Sequence, residues 1–477
     1  MRNEREIRRD EEIVEKIHQN TLRVLEEVGV VFHDDEALEF LASKGVKVVG
    51  DRAYFTEKQV MDALDVTTKD FVVHARNPKY DVKMNMEDLY MTPGYGSPFI
   101  TEADGTVRNG KLDDFIKLAD IVQASEEFSI NGGILVQPAD VEAAISAEIM
   151  VYTTLCRSDK ALFSVCGDGK VCENIFEMME VVFDRDITDF PCTFNLISPT
   201  APLGVSKNTI ETTKLCAEKG QPIAICPAPM AGTTGPVSLA GNITVANAEI
   251  LAINAYAQLV RPHTPLIYAY AGTVSDMSSM AVSNACPGFN MESKYASYLS
   301  KKYGLPCRSG GGMTNANGLN AQAGVESGIN FFESFSEKCN LMMHATGSVQ
   351  SFMSVSIEKF VLDIETYTRM KYYFSDMPCD EDALAFDVIQ EVIEDGESFL
   401  TTDHTAERCR IDPWTPQVSL HKNASGDPTQ ELMDSIHARI DELLENNVVP
   451  ELAPETRAKL DAVIRRVGMK DEDIARV

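Results

Sequence analysis

Four short stretches of this chain carry side chains able to hold a small charged molecule. Tyr95 and Phe99 close a Gly- and aromatic-rich run, Tyr90-Met91-Thr92-Pro93-Gly94-Tyr95-Gly96-Ser97-Pro98-Phe99. Tyr268 and Tyr270 stand two apart, which on a strand gives them one face and leaves Ile267, Ala269 and Ala271 to the other. Arg308 precedes Gly310-Gly311-Gly312, whose backbone N–H groups suit an anion, carboxylate as readily as phosphate. Met342, His344 and Thr346 share a further face, followed by Gly347 and Phe352. Aromatics, one His, one Arg and an N–H-rich loop together suit a small zwitterion, cationic at one end and carboxylate at the other. Each also has a plainer reading. An inward Tyr fills a core layer, a lone His satisfies its hydrogen bonds in a core, and glycines permit tight turns.

Groups that would carry out bond-breaking chemistry are few. There is no HxH, no HExxH and no Cys/His pair at zinc-ligand spacing, although ligands from separate strands stay open. A GxGxxG after a strand, a Walker loop and a nucleophile elbow are all missing, and His404 lies well past the other candidates. Either something bound performs the hard chemistry, or the site only binds.

The elements that must position these residues are eight short apolar runs, at 89–99, 128–136, 161–166, 193–198, 222–226, 265–271, 306–311 and 341–346. Each is separated from the next by room for one helix, and most end in turn residues. Strands alternating with helices predict a parallel sheet, and eight of them predict a (β/α)8 TIM barrel of the α/β class. Its chemistry would then sit at the strand C-termini, where the candidates above fall. Helices are predicted at 113–124, 141–156, 171–183, 206–219, 238–259, 292–303 and 319–338. Residues 1–85 read as an N-terminal helical cap, with helices at 12–28, 35–44 and 56–64 and a hairpin at 46–55. The barrel then spans 86–354, and 355–477 form a C-terminal helical extension. There, helices are expected at 355–370, 380–395, 429–445 and 454–467.

With 477 residues and a net charge of −30, the chain is too acidic to favour nucleic acid. That charge serves either solubility or docking of a partner with a basic rim. The eleven cysteines never form a CxxC and read as reduced thiols of a cytoplasmic enzyme. A charged N-terminus gives no secretory signal, and no stretch reads as a membrane span.

Several segments carry a family resemblance over nearly the whole length. They are Lys16-Ile17-His18 through Val28-Gly29-Val30 with Glu36-Ala37-Leu38, Ala321-Gln322-Ala323-Gly324-Val325-Glu326, Ser356-Ile357-Glu358-Lys359-Phe360-Val361-Leu362-Asp363, and Phe399-Leu400 with Asp403-His404-Thr405. With these the chain resembles the trimethylamine methyltransferase family, in particular its branch without pyrrolysine. The resemblance implies a barrel that passes a methyl group from an amine to the Co(I) corrinoid of a small partner protein, with no cofactor bound permanently and no protein nucleophile. It also suggests a homo-oligomer. This chain has only the twenty ordinary residues, so the family's pyrrolysine is absent, its place expected near His344.

That absence points to a substrate class. A neutral trimethylamine would leave as an amide anion and needs activation, whereas a quaternary ammonium already leaves as a neutral amine. Glycine betaine, proline betaine, carnitine and γ-butyrobetaine are the substrates expected. Positive charge vanishes from nitrogen as the methyl departs, so neutral aromatic faces suit it better than a carboxylate. On this reading Tyr95, Phe99, Tyr268 and Tyr270 form the cage. Arg308, the N–H groups of Gly310, Gly311 and Gly312, or His344 hold the carboxylate, and no metal is required. Two other readings stay open. One is a zinc-dependent corrinoid methyltransferase using Cys166, Cys226, Cys307 and His344; the other is a non-catalytic quaternary-amine binder.

Overall fold

The computed structural model describes residues 4–165, 167–420 and 425–477. Met1 to Asn3 and Cys166, which ends the third predicted strand and is a candidate zinc ligand, lie outside the described residues.

The fold is α/β. Each predicted strand contains an observed one: β1 (Tyr90–Met91), β2 (Ile130–Gly132), β3 (Ala161–Phe163), β4 (Thr193–Ile197), β5 (Ile223–Ile225), β6 (Leu266–Tyr268), β7 (Arg308–Gly310) and β8 (Leu341–Met343). All their mutual pairings are parallel. One ladder runs β2-β3-β4-β5-β6 and another β7-β8-β1. A bridge between Tyr268 and Cys307 joins the two ladders. Just beyond β1 and β2, Gly96 N–H donates to Ile134 O at 2.8 Å and Gln137 N–H to Ser97 O at 2.8 Å.

Both faces of these strands are buried, so they read as continuous apolar runs rather than alternating ones. One face supplies Ile130, Phe163, Phe194, Leu196, Ala224, Ile267, Leu341 and Met343 to an inner cluster. The opposite face supplies Leu162, Ile197, Ile225, Leu266, Tyr268 and Met342 to a larger cluster shared with the helices. An antiparallel hairpin, Phe71–Val73 with Val82–Met84, adds Phe71, Val73, Val82 and Met84 to the inner cluster.

The N-terminal helix α1 (Glu4–Arg23) leads through a wider turn, Val24–Val28, to Gly29. Nine further helices matter to the argument: α2 (Leu112–Ala124), α3 (Ser146–Arg157), α4 (Gly169–Phe183), α5 (Lys207–Lys219), α6 (Leu239–Val260), α7 (Pro287–Tyr303), α8 (Ala321–Ser336), α9 (Ile357–Tyr373) and α10 (Phe386–Asp395). Local chemistry sets their ends. The side chains of Asp168, Ser206, Asn320 and Ser356 accept N-terminal amides of α4, α5, α8 and α9. Gly220 and Gly304 close α5 and α7 in the left-handed conformation.

One sequence expectation is corrected by α6. Its 22 residues reach a mean hydropathy of 1.2, enough by length and composition to cross a membrane, yet 83% of that window is buried within the protein. It is a core helix, and it buries Asn242, Asn247, Glu249 and Asn254, each hydrogen-bonded to protein groups.

Candidate active site

The structure gathers Tyr95, Arg308 and His344 toward the C-terminal ends of the parallel strands, as the strand reading requires. Tyr95 lies on the loop after β1 and packs on the inner cluster. Its ring meets Phe163 edge-on at 5.5 Å, and Phe163 stacks on Phe194 at 6.0 Å. A Cβ at Gly133, which has φ +76°, would come within 2.6 Å of the Tyr95 ring. Only glycine lets the end of β2 pass beneath this tyrosine.

His344 enters the same space by an unexpected route. Strand alternation would give it the face of Met342, but Met342 belongs to the outer cluster and Met343 to the inner one. A left-handed backbone at His344, φ +53°, breaks the alternation directly after β8. The ring then sits 4.8 Å from Phe352 and 6.4 Å from Tyr95. The Tyr95 backbone N–H donates to His344 Nδ1 at 3.2 Å. Burial, with the Arg308 guanidinium adding to it, pushes the imidazole down to about 3. The ring is therefore neutral, and with Nδ1 accepting, its proton rests on Nε2.

Arg308 is 5% exposed. Ser309 hydrogen-bonds Glu333 and Ser334 of α8, which assigns Ser309 to the helix side of β7 and Arg308 to the inner side. Arg308 Nη1 donates to the Tyr270 carbonyl, while Nε has no hydrogen-bond partner. Among the described residues no carboxylate forms an ion pair with it. A buried guanidinium without an anion is unfavourable unless a ligand supplies the charge.

Phe163 and Phe194 were not named from the sequence, and Phe352, noted there beyond Gly347, was given no place in the cage. Phe352 is held by three successive left-handed residues, Gln350, Ser351 and Phe352, with φ of 53°, 53° and 75°. Non-glycine residues adopt this conformation at a cost, and such strain concentrates at functional sites. The turn is fixed from outside: Gln350 N–H donates to Ala316 O, Ser351 N–H to Thr314 O, and Ser97 Oγ to Phe352 O. No glycine marks this turn in the sequence. Phe163 and Phe194 could have been found by alternation within their strands, once one inner residue of each was known.

Four expectations are corrected. Tyr268 and Tyr270 face the helices, while Ile267 and Ala269 face inward. Tyr268 donates its hydroxyl to Asn247 of α6 at 2.9 Å, and its ring lies 6.2 Å from Tyr303 of α7. Burial and neighbouring Glu292 hold the Tyr270 phenol well above its ordinary pKa; burial likewise lifts the Glu292 carboxyl to about 7. A tyrosine hydroxyl needs a partner when buried, and for Tyr268 the helix layer, not the inner cluster, provides it. Phe99 also departs, because the first predicted strand breaks after Met91. It belongs to a separate sheet, paired with Asn109 and Ser354.

The glycine run is the third correction. Gly312 N–H is already engaged by Ala345 O at 3.0 Å. A Cβ at Gly311 would strike the Ala345 backbone at 2.4 Å, and one at Gly312 would strike the Asp363 carboxylate at 2.6 Å. These glycines allow the ends of β7 and β8 to close on each other. Between them lies a buried ion pair. Lys359 Nζ donates to Asp363 Oδ2 at 2.6 Å and to Gly312 O, and Asp363 Oδ2 accepts Gly347 N–H at 2.8 Å. This brace fixes the loops that follow Arg308 and His344. Last, one zinc candidate turns away: Cys307 lies in the outer cluster, whereas Cys226 lies in the inner one. Among the described residues no group of three or more His, Cys, Asp or Glu could hold a metal. Burial raises the Cys226 thiol above its ordinary pKa.

The resulting arrangement brings the rings of Tyr95 and Phe352 to the neutral imidazole of His344, with the buried Arg308 guanidinium acting on the same ring. Its chemistry suits a carboxylated cation.

Comparison with known proteins places this geometry in context. A model of the family described as trimethylamine methyltransferase (MTTB) matches residues 5–470. The chain is 35% identical over 463 residues to a glycine betaine methyltransferase of Desulfitobacterium hafniense (strain Y51), covering 96% of each. It is 28% identical over 369 residues to an L-carnitine:corrinoid methyltransferase of Eubacterium limosum, covering 74% of each. In fold it is similar to the crystal structure of the Methanosarcina barkeri monomethylamine methyltransferase (MtmB). The TM-score is 0.51 at 10% identity, covering 91% of this chain and 93% of that one.

Proposed function

The chain belongs to the trimethylamine methyltransferase family, and from that premise we propose that it passes a methyl group from glycine betaine to the Co(I) corrinoid of a small partner protein. The acceptor brings the nucleophile: cobalt bonds the methyl carbon as the C–N bond breaks, and the electron pair stays on nitrogen, which leaves as the neutral tertiary amine of the dimethylglycine anion. No proton moves and no activating side chain is needed. Trimethylamine, lacking that leaving group and meeting only the twenty ordinary residues, is a poor substrate.

The protein's own work is positioning. Tyr95, Phe163, Phe194 and Phe352 offer neutral faces to the trimethylammonium group. A carboxylate there would stabilise the cationic ground state more than the transition state, in which that charge is fading. Arg308 and the Nε2–H of His344 hold the substrate carboxylate and so aim the methyl outward from the strand ends. The single observation carrying this reading is the buried Arg308 with no anionic partner among the described residues. Sequence similarity to a glycine betaine methyltransferase supports the same substrate class.

The eight parallel strands are read as a closed (β/α)8 barrel, the bonds between the segments after β1 and β2 supplying the remaining seam. Residues 1–85 cap it and 355–477 extend it. Ten free cysteines among the described residues fit a cytoplasmic setting.

Calorimetric titration tests the cage. Tyr95→Ala should weaken glycine betaine and choline to a similar degree, roughly 3- to 30-fold each, as expected for one cation–π face. If glycine betaine alone weakened, Tyr95 would not be touching the ammonium group.

A further inference from the structure

Among the described residues, the Arg308 guanidinium donates to one protein acceptor, the Tyr270 carbonyl, while its Nε has no partner. Where that carbonyl stands therefore decides where the cation points. One edge of the chain around residue 270 is held by its neighbour β5. Ala269 N–H donates to Ile225 O at 3.1 Å, Ala271 N–H to Pro227 O at 3.0 Å and Thr273 N–H to Pro229 O at 3.0 Å. The opposite edge, which carries the Tyr270 carbonyl, has less support. There the pairing of β6 with β7 is a single bridge from Tyr268 to Cys307, two residues short of Tyr270.

The Tyr270 side chain supplies an anchor instead. It is 2% exposed, and a Cβ at Gly272 would come within 2.0 Å of its hydroxyl oxygen. Any side chain at 272 would push the ring away. The hydroxyl neighbours the carboxyl of Glu292 on α7, and neither it nor Glu292 Oε2 has another partner. Glu292 is 0% exposed and is itself fixed from α6. Asn242 Nδ2 donates to Glu292 Oε1 at 3.0 Å and to Pro229 O at 3.2 Å, the same carbonyl that accepts Thr273 N–H. The contacts link the segments after β5 and β6 through two helices. A carboxyl buried between helices costs free energy that a leucine would not. Packing alone does not call for it.

We propose that Glu292 is a positioning residue for methyl transfer: acting through Tyr270, it fixes the carbonyl that orients Arg308 toward the substrate carboxylate. This rests on the reading of Arg308 as the carboxylate's partner. Glu292 itself touches no substrate. Its effect should therefore appear in carboxylate recognition and not in recognition of the ammonium group.

Calorimetric titration of the full-length protein with glycine betaine and with choline tests this. Tyr270→Phe keeps the ring and removes only the hydroxyl. It should weaken glycine betaine about 5-fold and choline by less than about twofold, as one lost hydrogen bond implies. Glu292→Leu should separate the two ligands in the same direction. Glu292→Gln can still accept from Asn242 and donate to the Tyr270 hydroxyl, so it should bind glycine betaine within about twofold of wild type. Tyr270→Phe carries the test alone if Glu292→Leu does not fold. Arg308→Ala, measured alongside, keeps two failures apart. If it separates the ligands while Tyr270→Phe weakens both equally or neither, only the role of Glu292 is overturned. If Arg308→Ala does not separate them, the carboxylate reading falls and this proposal with it.

Discussion

Replacing Arg308 by alanine is expected to weaken glycine betaine about 100-fold while changing choline, which has no carboxylate, by less than about threefold. The expectation rests on desolvation. Arg308 is buried, its Nε lacks a partner, and no carboxylate among the described residues neutralises it. A bound carboxylate therefore meets a cation that has already lost its water, and such charge-assisted bonds contribute about 1.5–3 kcal/mol or more. Choline offers no carboxylate, so it loses only whatever packing the side chain provides. Arg308→Lys should recover part of the loss, since an ammonium keeps the charge but not the planar fork. Calorimetry with the two ligands on each variant reads the difference. Equal losses on glycine betaine and choline would remove Arg308 from carboxylate recognition.

The second large effect concerns the brace behind that site. Lys359→Ala is expected to destabilise the fold by about 3–5 kcal/mol, because it strands a buried carboxylate. Lys359 and Asp363 are 1% and 3% exposed as side chains, so neither charge can turn to water. Burial already holds the Asp363 carboxyl up at about 6 even with the lysine beside it. Without Lys359 that carboxyl takes up a proton, and Gly312 O keeps only Ser327 Oγ as a donor. Lys359→Met with Asp363→Leu should cost much less than either single change, since removing both charges leaves nothing uncompensated. Chemical denaturation of the three variants checks this. A double variant as unstable as the single ones would mean that the pair matters for its shape rather than its charge.

Strand positions were legible because strands buried on both faces form unbroken apolar runs, and the helices between them carry Ser, Asp, Asn and Gly at their ends. The same double burial hid which face is which. Nothing in the apolar pattern of Leu266–Tyr268 separates inside from outside; the hydroxyl of Tyr268 decides it by finding Asn247 on a helix distant in sequence. Arg308 and His344 were legible as polar residues at strand ends, but the period-two argument grouped His344 with Met342, which faces the helices. A left-handed residue turned it inward, and histidine gives no warning of that conformation as glycine would. Phe352 was visible beyond Gly347, but its left-handed turn toward His344 stayed hidden for the same reason. The glycines at 310–312 advertised an anion site because steric need and ligand need leave the same mark in sequence. Only the contacts of Ala345 and Asp363 tell them apart.

The most direct test of the central claim is the visible spectrum of a reduced corrinoid protein mixed with this enzyme, from the same organism. Glycine betaine and trimethylamine would be added in separate runs. The account predicts conversion of the Co(I) spectrum to that of methyl-Co(III) with glycine betaine and none with trimethylamine. Conversion with trimethylamine, or with neither amine despite calorimetric binding of glycine betaine, would contradict it.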